Sequence, residues 1–172
     1  FSLIINEHII VNLGKECVNK LLKDGYDLTK IDTVIFTNMK QFSILDYPIF
    51  LVSLDKLGVR HRINVYIPKN EKQKLSDYLH NVYDTYFDAY IEEYFVFTEI
   101  YDKLLINDST DTYKFLQTST TNYGVIINDK LGFTGFADIS NSVKEIYKKS
   151  DLIIVDCSLH EGNTEHMGLD DL

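Results

Sequence analysis

The chain has 172 residues, 26 of them acidic and 17 basic, for a formal net charge of −9. A hydrophobic share of 45% excludes a disordered tail, and the length fits a single domain spanning residues 1–172 with a core of its own. Two cysteines, Cys17 and Cys157, exclude a disulfide framework or a cysteine-based zinc site. The acidic balance argues against a nucleic-acid backbone as partner, because phosphate binding needs clustered Lys and Arg. The longest apolar runs are far too short to span a bilayer, so the expectation is a cytoplasmic protein without membrane contact. The sequence opens at Phe1 with no initiator Met, signal or transit pattern, and is expected to be a piece of something longer.

Leu3 and Ile5, then Ile9, Val11 and Leu13, alternate around the polar group Asn6-Glu7-His8, which predicts a hairpin ending at Gly14. Residues 15–24 carry Cys17, Val18, Leu21 and Leu22 at helical spacing, with Gly25 as C-cap. Residues 33–37 (TVIFT) form a short β-branched run of the kind found in strands buried on both faces. An apolar helix is predicted over 44–57, ending at Gly58 despite Pro48 in its first turns. Another buried strand is predicted over 63–67 (INVYI), closed by Pro68.

The tyrosine-rich stretch 71–89 places Leu75, Tyr78, Leu79, Val82, Tyr83, Tyr86 and Phe87 at helical spacing, which predicts one amphipathic helix. Residues 94–100 then alternate as a strand, and 107–112 (NDSTDT) read as a polar loop. Strands follow over 115–119, 124–127 and 131–134, the last two joined by a turn at Asn128-Asp129-Lys130. A helix capped by Ser140 or Asn141 runs to residue 149, and 152–155 (LIIV) reads as a last buried strand. The order implies an α/β fold with at least two helical layers.

Three stretches carry a local sequence resemblance. Residues 9–38 (IIVNLGKECVNKLLKDGYDLTKIDTVIFTN) resemble the opening of the metallo-β-lactamase superfamily, especially its ribonuclease Z and cyclic-nucleotide phosphodiesterase branches. There, a strand of type ILIDxG precedes a helix and then IDxIxITH. Residues 124–140 (GVIINDKLGFTGFADIS) are similar to the family's GYxIxxxxxxxYTGDT hairpin, and residues 151–172 to its ADLLIHEAxxxxxxxxxHMSxxDA segment. The resemblance implies an αβ/βα sandwich of two mixed sheets flanked by helices, here without a leading strand and a closing helix.

The family's two metal ions are held by H-x-H-x-D-H just after the TVIFT-type strand. Alternate residues of one tight loop thereby present imidazoles and a carboxylate to the metals. On this resemblance Asn38 stands for the first His, Lys40 for the second, Phe42 for the Asp and Ser43 for the last His. Lys40 brings an ammonium to a place built for a dication. No His lies in 117–122, where the middle ligand belongs, and Phe136 takes the place of the bridging Asp, with Asp138 two residues later. His166 alone remains.

The resemblance therefore implies a pseudoenzyme without catalytic residues or cofactor. Its vestigial cleft, lined by Asn38, Lys40, Ser43, Asp138 and His166, is expected to bind either a small anionic ligand such as a nucleotide or a partner protein, with purely structural or partner-docking use an equal alternative. The alternatives are a phosphodiesterase acting on a cyclic nucleotide or RNA with a non-standard site, or one subunit of an assembly in which another chain carries the intact site. If a metal is held, the candidate set is one zinc or manganese ion on Asp156, His160 and His166, with Glu161 and Glu165 nearby.

His8, His61 and His80 read as surface residues, and Arg60-His61-Arg62 is the only basic cluster. Cys17 and Cys157 have no neighbouring base to activate them, and no P-loop or dinucleotide fingerprint is present. Aromatics crowd residues 78–97. The segment from Tyr83 to Phe97 exceeds what one helix face needs, so it is expected to form a homodimer or hetero-partner interface.

Overall fold

Asn6 and Glu7 both take positive φ, 51° and 64°. That pair of left-handed residues matches the twist of flanking strands. It folds β1 (Leu3–Ile5) back antiparallel onto β2 (Ile9–Val11), and the His8 N–H donates to the Ile5 carbonyl at 3.2 Å. α1 (Cys17–Lys23) then returns the chain to β3 (Thr33–Ile35), which lies parallel to β2. This computed structural model describes residues 2–155 and 166–168. The chain divides into two compact units, Phe1–Glu99 and Ile100–Leu172.

In the first unit α2 (Gln41–Ile44) and α3 (Tyr47–Lys56) follow β3. β4 (Ile63–Pro68) pairs parallel to β3, then α4 (Lys72–Tyr83) and α5 (Asp88–Tyr94) lead into β5 (Phe95–Ile100). The sheet order is β1-β2-β3-β4-β5. Alternate residues Ile10, Val34, Ile63, Val65 and Ile67 pack with Val18, Phe50, Leu54, Leu75 and Leu79 of the helices in one apolar core. Ile9, Val11 and Ile35 on the opposite face are buried as well. The β-branched TVIFT run is thus covered on both faces, as its composition implies.

The second unit holds β6 (Leu105–Asn107), β7 (Thr112–Ser119), β8 (Asn122–Ile127), β9 (Leu131–Phe133), α6 (Asn141–Lys149) and β10 (Leu152–Ile154). Its sheet runs β10-β9-β8-β7-β6, antiparallel except for the parallel β9–β10 pair. Asn128 and Asp129, at φ 57° and 51°, make the β8–β9 turn, and Ser140 Oγ accepts from Val143 N–H to cap α6. α6 lies close on the sheet because two strand positions lack a side chain. A Cβ on Gly124 would stand 2.5 Å from Ile146 Cδ1, and one on Gly132 2.5 Å from Ile146 Cγ2.

Four expectations change. The helix predicted over 44–57 is α3, which starts only at Tyr47, after a break from the short α2 at Asp46, whose carboxylate goes to the amides of α1. Pro48 then sits in the first turn of α3, where no N–H is needed. The helix predicted over 71–89 is also two, parted by Asp84 at φ 51°, ψ −138°. The polar loop 107–112 is the turn of a hairpin with β6, a strand too short to show a period. Asp108 Oδ1 holds that turn by accepting from Thr110 N–H and Asp111 N–H at 2.8 and 2.7 Å. The strand over 152–155 is not buried: among the described residues β10 pairs with β9 alone, and Leu152 is 62% exposed. Among the described residues no helix is long and apolar enough to cross a membrane.

Candidate functional site

The loop that leaves β3 is held from below by two buried polar residues. Asn12, 3% exposed, donates from Nδ2 to Thr37 Oγ1 at 3.0 Å, and its Oδ1 accepts from Thr37 N–H at 3.0 Å. Its φ of 60° is one that asparagine tolerates better than most residues. Asp46, 4% exposed, accepts from Glu16 N–H at 3.2 Å and from Val18 N–H at 3.0 Å. It stands in front of α3 yet serves α1, whose own preceding residue Glu16 lies at φ 62° and offers no side-chain cap. Sequence reasoning missed Asn12, Thr37 and Asp46, since only long-range pairing gives them work.

Within this scaffold Asn38 is buried and turned onto its own loop. Its Oδ1 accepts from Lys40 N–H at 2.9 Å, an Asx turn, and its Nδ2 lies 3.4 Å from Thr37 Oγ1. Ser43 is buried too: its N–H donates to Lys40 O and its carbonyl accepts from Leu13 N–H. Lys40 is half-buried at the head of α2, and Phe42 is 43% exposed. A carboxamide spent on the backbone, an ammonium, a phenyl ring and a buried hydroxyl do not make a donor set for two cations. Each zinc ion takes about three to four protein ligands. Residues 38–43 do not fit a dinuclear metal centre.

The second unit holds the other two predicted residues. Asp138 is half-buried in the turn between β9 and α6. His166 sets its ring against Phe136, centroids 4.9 Å apart at 83°. The one retained imidazole thus meets a phenyl ring, the residue that the resemblance puts in place of a bridging carboxylate. Met167 beside it is fully buried with Ala137 and Val143. Asn38 and Lys40 on the loop after β3 and Ser43 in α2 lie in the first unit, and Asp138 and His166 belong to the other unit. The alternative metal set includes Asp156 and His160, which with Glu161, Glu165 and Cys157 lie outside the described residues. Among the described residues no group of three His, Cys, Asp or Glu is placed to hold a metal ion.

The remaining histidines pin local structure. His8 Nδ1 lies 2.9 Å from Asp32, His61 Nε2 2.9 Å from the Ile31 carbonyl, and His80 Nε2 2.8 Å from Asp88. Arg60 pairs with Asp55 at 2.8 Å and lies over the Tyr90 and Tyr94 rings, so this basic cluster is occupied within its own unit. Burial pushes the Cys17 thiol up, against the pull of the Ser2 hydroxyl, which disfavours the thiolate. The aromatic surplus resolves largely into packing. Phe87 and Phe95 are buried, and Tyr78, Tyr83, Tyr90, Tyr94 and Phe97 pack on the core, while Tyr86 is 72% exposed.

No protein-family profile and no curated protein matches the chain. Its structure, however, is similar to several solved ones. The metallo-β-lactamase fold protein YhfI from Bacillus subtilis superposes with a TM-score of 0.72 at 18% identity, over 97% of this chain and 69% of that one. A diphosphatase from the PhnP family gives a TM-score of 0.70 at 17% identity, over 99% and 64%. Human tRNase Z, short form (ELAC1), gives 0.70 at 12% identity, over 99% and 77%. The chain therefore spans roughly two thirds to three quarters of these relatives' lengths. At such identities the likeness is one of fold.

Proposed function

We propose that this chain, which has the metallo-β-lactamase fold, works by binding and not by metal-dependent hydrolysis. Its ligand is a small phosphate-bearing anion of the nucleotide class, captured at the loop that carries Lys40. The observation that supports this most is the Asx turn of Asn38 onto Lys40 N–H, which fixes the backbone of the residue that carries the ammonium. A dication in a hydrolase both attracts the phosphate and lowers the pKa of an attacking water. An ammonium supplies only the first effect, through charge-assisted hydrogen bonds. The net charge of −9 favours a small anion over tRNA, because a polyanion laid along the surface meets repulsion that a single phosphate escapes.

Two measurements test this. Protein purified without chelator is expected to carry substoichiometric zinc and manganese by elemental analysis. Stoichiometric metal that disappears in His166→Ala overturns the reading in favour of a phosphodiesterase with a non-standard centre. A nucleotide monophosphate at a hundred times its Kd is expected to stabilise the fold by about 2.7 kcal/mol. The matching rise in melting temperature is expected to vanish in Lys40→Ala; an unchanged rise in that variant removes the loop from the site.

A further inference from the structure

α4 and α5 are joined by the His80–Asp88 contact, and a cavity of about 450 Å³ is lined by residues of both helices and of β5. That volume lies within the range of about 300–1,000 Å³ usual for small-molecule sites. Its walls are Leu75 and Leu79 of α4, Ile91 of α5, and Phe95 and Phe97 of β5, with the buried Tyr47 phenol among the lining groups. Burial holds that phenol neutral by pushing its pKa up. The cavity lies wholly within the first unit and shares no residue with the Lys40 loop.

The charges around it are unequal in their fixation. Lys72 sets its ammonium 4.7 Å over the Phe97 ring, and among the described residues it has no ion-pair partner. Asp88 is engaged by His80, and Glu92 is an exposed rim residue that has no hydrogen bond or ion pair among the described residues. From Lys72 to His80 the groove runs about 12 Å along α4, at ~1.5 Å of rise per residue. We infer that the α4–α5 groove binds an aliphatic monocarboxylate of medium chain length, its carboxylate at Lys72 and its chain along Leu75, Leu79 and Ile91. The exposed Lys72 ammonium, drawn toward the groove by the Phe97 ring, supplies a cationic partner for the head group. The apolar walls gain from each methylene they cover.

Calorimetric titration of the whole chain with decanoate tests this, with octanoate, decanol and decyltrimethylammonium as comparisons. Decanoate is expected to bind one to one. Octanoate should bind about tenfold more weakly, since two methylenes at about 0.8 kcal/mol each amount to roughly one decade. Lys72→Gln is expected to weaken decanoate about tenfold or more while leaving decanol unchanged. Ser76→Phe, which fills the groove from its half-buried lining residue, is expected to abolish both. Tighter binding of the decyl cation would give the head-group position to Glu92 and overturn the assignment. So would the absence of saturable binding, or an undiminished affinity in Lys72→Gln with a native melting transition. Lys40→Ala is expected to leave decanoate untouched, so that failure here and failure of the nucleotide reading remain distinct; decanoate binding lost in Lys40→Ala but kept in Lys72→Gln overturns this groove alone.

Discussion

The loop after β3 and the α4–α5 hairpin sit in the same unit and solve opposite problems. In the loop the directional contacts are polar, buried or half-buried, beside the Phe36–Tyr47 ring contact: Asn12 to Thr37, Asn38 to Lys40, Asp46 to the amides of α1. In the hairpin aromatic contacts predominate beside the polar His80–Asp88 pair. Tyr83 and Tyr86 both meet Phe87 edge-on, at 5.3 and 4.8 Å, and Tyr90 packs on Phe95 at 5.8 Å. Directional hydrogen bonds specify one backbone path and tolerate little, because an orphaned buried donor costs the full desolvation penalty. Ring packing is less exacting, and it leaves room for a cavity and an exposed Tyr86. A loop whose resemblance ties it to metal ligation can thus keep its path after the ligand types have changed, provided the backbone amides still find acceptors.

Breaking the loop's deepest support should have the largest effect. Asp46→Ala leaves the Glu16 and Val18 N–H groups without their carboxylate, at a cost of about 3 kcal/mol in urea unfolding. Asp46→Asn is expected to recover part of that loss, because one carboxamide oxygen can still accept. If both variants unfold at the wild-type midpoint, the polar scaffold is not what holds the loop.

A smaller effect is expected one level up. Asn38→Ala removes the Asx turn but leaves Asn12 and Thr37 in place, for about 1 kcal/mol. Asn38→Asp keeps the acceptor and should match wild type in stability. Elemental analysis of Asn38→Asp is expected to show no gain of zinc, since a carboxylate bound to Lys40 N–H beside an ammonium is a poor ligand.

The hairpin should yield the smallest change. Tyr86→Ser alters a side chain that is 72% exposed, so the unfolding midpoint should move by less than about 0.5 kcal/mol. A loss above about 1.5 kcal/mol would show that Tyr86 supports Phe87 well beyond what its exposure implies, and would narrow the contrast between the two regions.

Much of this protein was legible in its residues. The β-branched runs of β3 and β4, the turn residues Asn128 and Asp129, the Ser140 cap and the local motifs around 9–38, 124–140 and 151–172 point to a metallo-β-lactamase fold, and the solved structures agree. These are local signals, set by side-chain period, backbone preference and chain order. The identity of residues 38–43 likewise decided, without coordinates, that the loop carries no imidazole or carboxylate.

Tertiary structure decided what depends on partners far apart in sequence. The two helix breaks near Asp46 and Asp84 escape a periodicity count. Asp46 acts on amides 28 and 30 residues away, and Asp84 bends the chain at a single left-handed residue. The exposure of β10, which among the described residues pairs with β9 alone, is something the LIIV run cannot reveal. That Asn38 spends its carboxamide on Lys40, that His166 faces Phe136, and that α4, α5 and β5 line a groove beside Lys72 are facts of three-dimensional pairing. Residue type names what a side chain can bond to. Only the fold determines which partner reaches it first.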